Sequence, residues 1–178
     1  MVGAVTARPR ISVYIAHSVD GYIADAEGSL DWLFLAAGTE DYGHAEFMAD
    51  VDGLAMGRAT WDFIAEEPDL PFEGRPVYVF THRDAKPRDG VTFWTRTPAE
   101  AVAEWQAAGL THVYVDGGRL ISAFLEAGLV DSLTLTVVPV LLGKGSRLFH
   151  EVEATTALRF VSATPYDTGL VMLRYERA

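Results

Sequence analysis

The chain has no cysteine, so disulfide bonds and thiolate chemistry are excluded, and we expect a reducing, cytoplasmic location. Basic residues are also few: 14 lysines and arginines stand against 25 acidic residues, a formal net charge of -11. Nucleic acids and anionic membranes select basic surfaces, so neither is expected as a partner. No hydrophobic run approaches the roughly 20 residues that span a bilayer.

The residues that are present suit one folded domain. The chain has 178 residues, of which 49% are hydrophobic, enough for one sizeable core but not for two. Residues 1–10 lack the apolar centre of a signal peptide and are expected to form a flexible N-terminal tail. Residues 11–178 are expected to form a single domain. The five histidines are scattered without the spacing of metal ligands, so no metal site is expected.

Strand-like and helix-like segments alternate through the first three quarters of the chain, and two further strands follow. This order predicts an α/β fold with a mixed, mostly parallel sheet, helices on both faces and an antiparallel C-terminal hairpin. A short helix is expected within residues 39–50. The predicted strands span residues 11–16, 52–57, 77–80, 91–94, 113–116, 133–142, 158–163 and 170–175.

Two adjacent glycines, Gly117 and Gly118, separate a predicted strand from a predicted helix. Without Cβ atoms they would let a ligand approach the backbone, and the free N–H groups at the start of the helix would bind a phosphate. An ordinary strand-to-helix turn is the alternative interpretation.

Three predicted strands end in residues that suit an anionic ligand: Gly57 with Arg58, residues 81–83, and residues 117–119. In open α/β sheets, ligands bind outside the carboxyl ends of the strands. Two glycine–helix junctions and a cationic loop together suit a phosphorylated dinucleotide. Arg58 and Arg83 could form forked hydrogen bonds with a 2′-phosphate, although each could instead be a solvated surface charge.

Several motifs resemble those of the dihydrofolate reductase superfamily. They cover residues 18–23, 56–61 and 115–120, in the family's order. Residues 139–145 and the pair Leu148-Phe149 are similar to the branch that contains the C-terminal reductase domain of the bacterial riboflavin-biosynthesis deaminase-reductase. The resemblance implies a dihydrofolate-reductase-like fold and NADPH as cofactor.

The resemblance also implies which residues bind the cofactor. Ala16 and Ile23 would touch the nicotinamide, although both could simply be core residues. The other implied cofactor-binding residues are Gly57, Arg58, Ala59 and Thr60 at one junction, Thr81, His82 and Arg83 around the adenosine phosphate, and Gly117, Gly118, Arg119, Leu120 and Ile121 at the pyrophosphate.

The substrate site is less well defined by the resemblance. Ser18 and Trp32 are expected to border the substrate, with Trp32 as a core aromatic residue in the alternative. Asp31 is the nearest candidate for a catalytic acid, or else a loop or capping residue. Tyr14 stands where the riboflavin enzymes carry a lysine, so the resemblance specifies the substrate poorly.

The sequence therefore predicts an NADPH-dependent reductase of a small heterocycle or ribosyl-pyrimidine, similar to 5-amino-6-(5-phosphoribosylamino)uracil reductase. Dihydrofolate reductase activity is the alternative within the same class. A non-catalytic nucleotide-binding module and a purely structural protein are the alternatives from other classes. A homodimer is also expected, because residues 133–142 and 170–175 are apolar on both strand faces and related reductase domains pair through this end.

Overall fold

The computed structural model describes residues 7–72, 74–150, 152–153 and 155–178. Ten strands and five helices are assigned within these residues. The strands are β1 (Arg10–Ser18), β2 (Tyr22–Ala24), β3 (Gly53–Gly57), β4 (Val77–Phe80), β5 (Val91–Trp94), β6 (His112–Asp116), β7 (Ser132–Val138), β8 (Ser146–Arg147), β9 (Leu158–Pro165) and β10 (Val171–Arg177). The helices are α1 (Asp31–Ala37), α2 (His44–Ala49), α3 (Arg58–Ile64), α4 (Pro98–Ala107) and α5 (Gly118–Glu126).

Eight of the strands form one sheet in the order β5-β4-β3-β6-β1-β7-β10-β9, and β2 pairs with β8 in a separate ribbon. In this sheet order, the first six strands, from β5 through β7, are all parallel to one another. Strand β10 is antiparallel to both β7 and β9. The predicted mixed, mostly parallel sheet with an antiparallel C-terminal hairpin is confirmed.

Helices cover both faces of the sheet because side chains alternate along the central strands. On β6, Val113 and Val115 pack into a core with Trp105 of α4 and Phe124 of α5. Tyr114, between them, packs into the core on the opposite face. This alternation sets which β6 side chains reach the ligand-binding edge of the sheet.

The exposed apolar surface lies on a different strand from the one expected. Strand β7 is interior, between β1 and β10, and its Leu133 and Val138 are buried. The outermost strand, β9, instead exposes Phe160 by 58% and Val161 by 44%. Within residues 133–142, β7 is therefore largely covered, since its Leu133 and Leu135 pack into a core with residues of α5, whereas Leu141, beyond the strand, is 71% exposed.

The N-terminal boundary and the first helices also differ from expectation. Residues 1–6 of the expected tail lie outside the described residues, but Arg8 forms a forked ion pair with Asp131 of 2.5 and 2.9 Å, and Arg10 begins β1. Within the expected helix at 39–50, only α2 is helical, and α1 forms earlier, with Trp32 in its first turn. None of the described helices is long and apolar enough to cross a bilayer.

Candidate functional site

A cleft of about 1120 Å³ opens at the carboxyl ends of β1, β3, β4 and β6. Small-ligand pockets have volumes of roughly 300–1000 Å³, so this cleft has room for a large ligand and a smaller one together. Most of the residues expected to bind a cofactor line it. They are Ala16, Ile23, Gly57, Arg58, Ala59, Thr60, Thr81, His82, Arg83, Gly117, Gly118, Arg119 and Leu120.

Two arginines at one end of the cleft share a carboxylate. Arg58 Nε donates to Asp62 Oδ1 at 2.6 Å, and Arg83 Nη2 donates to Asp62 Oδ2 at 3.0 Å. Arg58 also donates to the backbone oxygen of Asp84 at 2.9 Å, which holds its guanidinium against the loop after β4. The hydrogen bond from Arg58 is the main cause that lowers the pKa of Asp62. Asp62 is thus a counterion that sequence reasoning missed.

The glycine turn before α5 has a packing role as well as a place in the cleft. A Cβ on Gly118 would lie 2.8 Å from the backbone oxygen of Leu148 and would also collide with that of Arg147. A Cβ on Gly117 would lie 2.8 Å from Thr60 Oγ1, and Gly117 has a left-handed φ of 93°. Both glycines are therefore required by neighbouring protein atoms, which the sequence alone does not reveal.

The start of α5 also lines the cleft, through Gly118, Arg119 and Leu120. The amides of its first turn have no acceptor within the helix, so they remain available to an anion. Ser122 holds the segment in place, since its hydroxyl donates to Gly118 O at 2.8 Å and accepts from His150 N at 2.9 Å. Ile121, by contrast, is fully buried in the core and does not line the cleft, so its expected contact with a cofactor is not supported by this geometry.

Ser18 and Trp32 were expected to border a substrate, and the structure places both outside the cleft lining. Ser18 is buried: its hydroxyl donates to Asp20 Oδ1 at 2.6 Å and accepts from Tyr22 N at 2.9 Å. This bond from Ser18 is the main reason that the pKa of Asp20 falls to about 2. Asp20 in turn accepts from the Gly143 amide at 2.7 Å, so Ser18 stabilises a loop.

Trp32 packs into the core beside β1, and this is the alternative that the sequence left open. The side chain of Asp31 is exposed in the first turn of α1, where a carboxylate interacts favourably with the helix dipole. Asp31 does not line the cleft, so a role as the acid of this site is not supported. Its neighbours Leu30 and Leu33 do line it.

Among the residues that the structure describes, Asp116, at the end of β6, is the acid that lines the cleft. Burial raises the pKa of its carboxyl to about 6, although a hydrogen bond of 2.8 Å from the Gly117 amide to Oδ1 acts in the opposite direction. A carboxyl group with a pKa near neutrality in a cleft is a candidate for proton transfer. A charged residue ending an apolar strand just before a glycine turn was a usable signal, but sequence reasoning treated Asp116 only as part of a motif.

The remaining side of the cleft, which we call the α1 wall, is formed by Tyr14, Ala16, Leu30 and Leu33. Tyr14 donates its hydroxyl to Tyr42 O at 2.8 Å, and burial raises its pKa to about 12. The Tyr14 hydroxyl is therefore neutral and already engaged, so Tyr14 contributes mainly its ring to this wall. Among the described residues, no group of three or more histidine, aspartate or glutamate side chains could hold a metal ion.

Comparison with known proteins identifies the family of this fold. Residues 9–172 match the model of the RibD C-terminal domain. The chain is 34% identical over 169 residues to YwjB of Bacillus subtilis strain 168, named as an uncharacterized protein, and the match covers 93% of this chain and 97% of that one.

Two solved structures give the same picture. A Shewanella sp. PV-4 protein, provisionally named for riboflavin biosynthesis, superimposes with a TM-score of 0.87 at 34% identity over 95% of this chain and 99% of that one. The dihydrofolate reductase of Enterococcus faecalis, complexed with NADP(H) and RAB-propyl, superimposes with a TM-score of 0.67 at 20% identity, covering 94% and 96%. The fold is therefore dihydrofolate-reductase-like.

Gly118→Ala should destabilise the protein by about 2 kcal/mol or more, because the added methyl group meets backbone oxygens that cannot rotate away. Gly57→Ala is the matched control at the other glycine–helix junction. Gly57 has a φ of -76° and open space where a Cβ would lie, so Gly57→Ala should change the free energy of unfolding by no more than about 0.5 kcal/mol. Urea unfolding measures the change in stability of both variants. An unchanged unfolding midpoint for Gly118→Ala would contradict the close contact between the start of α5 and the backbone oxygens of Arg147 and Leu148.

Proposed function

The chain belongs to the family of RibD C-terminal domains, and on that premise we propose that it is an NADPH-dependent reductase of a small heterocyclic or ribosyl-pyrimidine substrate. The observation that carries this proposal is that one cleft is lined by both polar and apolar groups. Arginines, the start of α5 and the Asp116 carboxyl line it together with the apolar residues of the α1 wall. A reductase needs both, since its charged cofactor and its reacting ring meet in one cleft.

The residues of the cofactor side fit a phosphorylated dinucleotide. Arg58 and Arg83 already bind the two oxygens of the Asp62 carboxylate, the kind of arrangement that a phosphate monoester also satisfies. The open space at Gly57 and the first-turn amides of α5 provide further room and donors. When bound, NADPH supplies the hydride.

Asp116 provides the proton that accompanies the hydride. Reduction of a C=N or C=O bond places a hydride on carbon and a proton on the nitrogen or oxygen. Since Gly117 N donates to Oδ1, the Oδ2 atom of Asp116 is the site that holds and donates this proton. The α1 wall excludes water and orients the ring. Dihydrofolate reductase activity is less well supported, because Asp31, the acid proposed for it, lies outside the cleft.

The protein should bind NADPH at least about tenfold more tightly than NADH, a difference of roughly 1.4 kcal/mol, because only NADPH offers Arg58 and Arg83 a phosphate in addition to the Asp62 carboxylate. Arg83→Ala should reduce this ratio more than it weakens NADH binding. Arg96→Ala is the control, since Arg96 pairs with Glu104 and does not line the cleft. Fluorescence titration measures the affinity of each of the three proteins for both cofactors, and equal affinities of the unmodified protein for the two cofactors would refute NADPH specificity.

Asp116→Asn should lower turnover by about 100-fold or more, with little effect on NADPH affinity, because the amide cannot donate an acidic proton. In the unmodified enzyme the protonated carboxyl is lost as the pH rises through about 6, so kcat should fall above that pH. The substitution should remove that pH dependence. Initial rates of NADPH oxidation between pH 5.5 and 8 provide the test, and an unchanged profile in Asp116→Asn would assign the proton to another group.

Stability gives an independent check on the same carboxyl. The pKa of Asp116 is higher in the folded state than its ordinary value of 3.8. Its contribution to stability is therefore full at low pH and is lost as the pH rises through about 6. Asp116→Asn should consequently be more stable than the unmodified protein at pH 8, by about 1–3 kcal/mol, and should lose this advantage at pH 4.

We also propose that the protein is a homodimer that pairs through β9. This strand is the sheet edge, and its exposed Phe160, Val161 and Leu158 form an apolar strip that a second copy would cover. Light scattering at micromolar protein should give a dimer mass, and Phe160→Glu should give a monomer. Leu35→Glu, which replaces an exposed leucine on α1, should remain dimeric; a monomeric mass for the unmodified protein would exclude the dimer.

A further inference from the structure

Two groups of arginines line the cleft, and they differ in their surroundings. Arg58 and Arg83 share the Asp62 carboxylate. The ion pairs and side-chain hydrogen bonds found within the described part of the chain include no bond from Arg119 or Arg147. A guanidinium group has five N–H donors, so these two side chains present many unfilled donors in a protein whose formal net charge is -11.

Backbone contacts bring Arg119 and Arg147 together from distant parts of the chain. The backbone oxygen of Arg147 lies so close to Gly118 that a Cβ there would collide with it, and Arg119 is the next residue of α5. His150 is held at the same place, because its amide donates to Ser122 Oγ at 2.9 Å and Ser122 donates to Gly118 O at 2.8 Å. Arg119, Arg147 and His150 therefore line the cleft at one edge, where the start of α5 meets the segment after β8.

The three basic side chains act on one another. Burial lowers the pKa of the His150 imidazole below its ordinary value of 6.5, and the charges of Arg119 and Arg147 lower it further. Arg147 Cζ lies 5.6 Å from the centroid of the Tyr22 ring. A guanidinium group stacked on a ring keeps the N–H groups at its edge available to a ligand. Because the positive charges repel each other, an anion bound among them would be stabilised by all three groups.

The position of this group separates it from the arginine pair. Strands β4 and β6 flank β3 on opposite sides. Arg58 begins α3 after β3, but its guanidinium donates to Asp84 O on the loop after β4, and so it is directed away from the α5 side. Arg119 lies at the start of α5, which follows β6. The two groups of cations therefore suit two different phosphate positions in the cleft.

Resting on the proposed function, we propose that Arg147 and His150 form with Arg119 a second phosphate site of the cleft, separate from the Arg58–Arg83 pair. The family resemblance assigns no ligand to Arg147 or His150. Two ligands of a reductase could supply the phosphate. One is the diphosphate that joins the two halves of NADPH and NADH alike, and the other is the phosphate of a phosphorylated ribosyl-pyrimidine substrate.

Arg147→Ala distinguishes the two sources of the phosphate. If the site binds the diphosphate, the variant should bind NADPH and NADH each about tenfold more weakly, and the ratio of the two affinities should stay unchanged, in contrast to Arg83→Ala. If the site binds the substrate phosphate, both cofactor affinities should stay unchanged, and the NADPH complex should bind ribose 5-phosphate about tenfold more weakly. Fluorescence titration measures the cofactor affinities, and calorimetry measures the affinity for the sugar phosphate.

Lys144→Ala is the matched control, because Lys144 is a cation on the same loop that does not line the cleft, and it should change none of these affinities. Arg147→Gln replaces Arg147→Ala if the alanine variant does not fold. A folded Arg147 variant that keeps both cofactor affinities and shows no loss of ribose 5-phosphate binding would overturn the second phosphate site. If the unmodified protein binds neither cofactor, the reductase proposal fails, and the site is then tested with inorganic pyrophosphate, whose binding Arg147→Ala should weaken about tenfold.

His150 provides a readout that a purely structural role would not change. Since its pKa is lowered in the free protein, the imidazole is more than half neutral at pH 6.5, and a phosphate bound beside it should raise that pKa, so that binding takes up protons. Among the described residues, Arg119 from α5 and Arg147 from β8 are the charged groups that act on His150. Calorimetry of the ligand that Arg147→Ala affects, NADH or ribose 5-phosphate, in two buffers of different ionisation enthalpy measures the uptake. His150→Gln should reduce it, and equal uptake by the two proteins would exclude His150 from the site.

Discussion

The cleft depends on one close approach between two stretches of backbone. At Gly118 the start of α5 passes so near the carbonyl oxygens of Arg147 and Leu148 that no side chain fits between them. The same segment carries β8, which pairs with β2 and so determines where the loop after β1 lies. The Ser122 hydroxyl donates to Gly118 O and accepts from His150 N. It therefore joins the start of α5 to the segment after β8, and this contact, with the β2–β8 pair, forms one edge of the cleft.

The sheet supplies the other constraint, through the alternation of side chains along β6. Val113 and Val115 are committed to the core with α4 and α5, so Tyr114 and Asp116 face the opposite side, beside Tyr14. The same alternation places the Asp116 carboxyl among partly buried groups at the cleft, where desolvation raises its pKa. Packing and chemistry at this site have the same origin.

Much of the fold and the cofactor side of the cleft could be predicted from sequence, because hydrophobic period and glycine turns are local signals. Arg58, Arg83 and Gly117 were found in this way, and all three line the cleft. What could not be predicted depended on tertiary contacts. Ser18 is bound by Asp20, which the amides of Leu142 and Gly143 hold in place. Ile121 lies in the core under α5, and β7 lies inside the sheet between β1 and β10.

The carboxylate between Arg58 and Arg83 has a further consequence. Since Asp62 already binds both guanidinium groups, an arriving anion gains only the difference between its own interaction and that of this resident counterion. The exchange lowers the net affinity for any dianion, and it also means that departure of the anion leaves no bare charge behind. An arginine pair of this kind favours rapid exchange of its ligand over tight retention. For the same reason, added salt should weaken the binding of the anion less than it would at two arginines without a counterion.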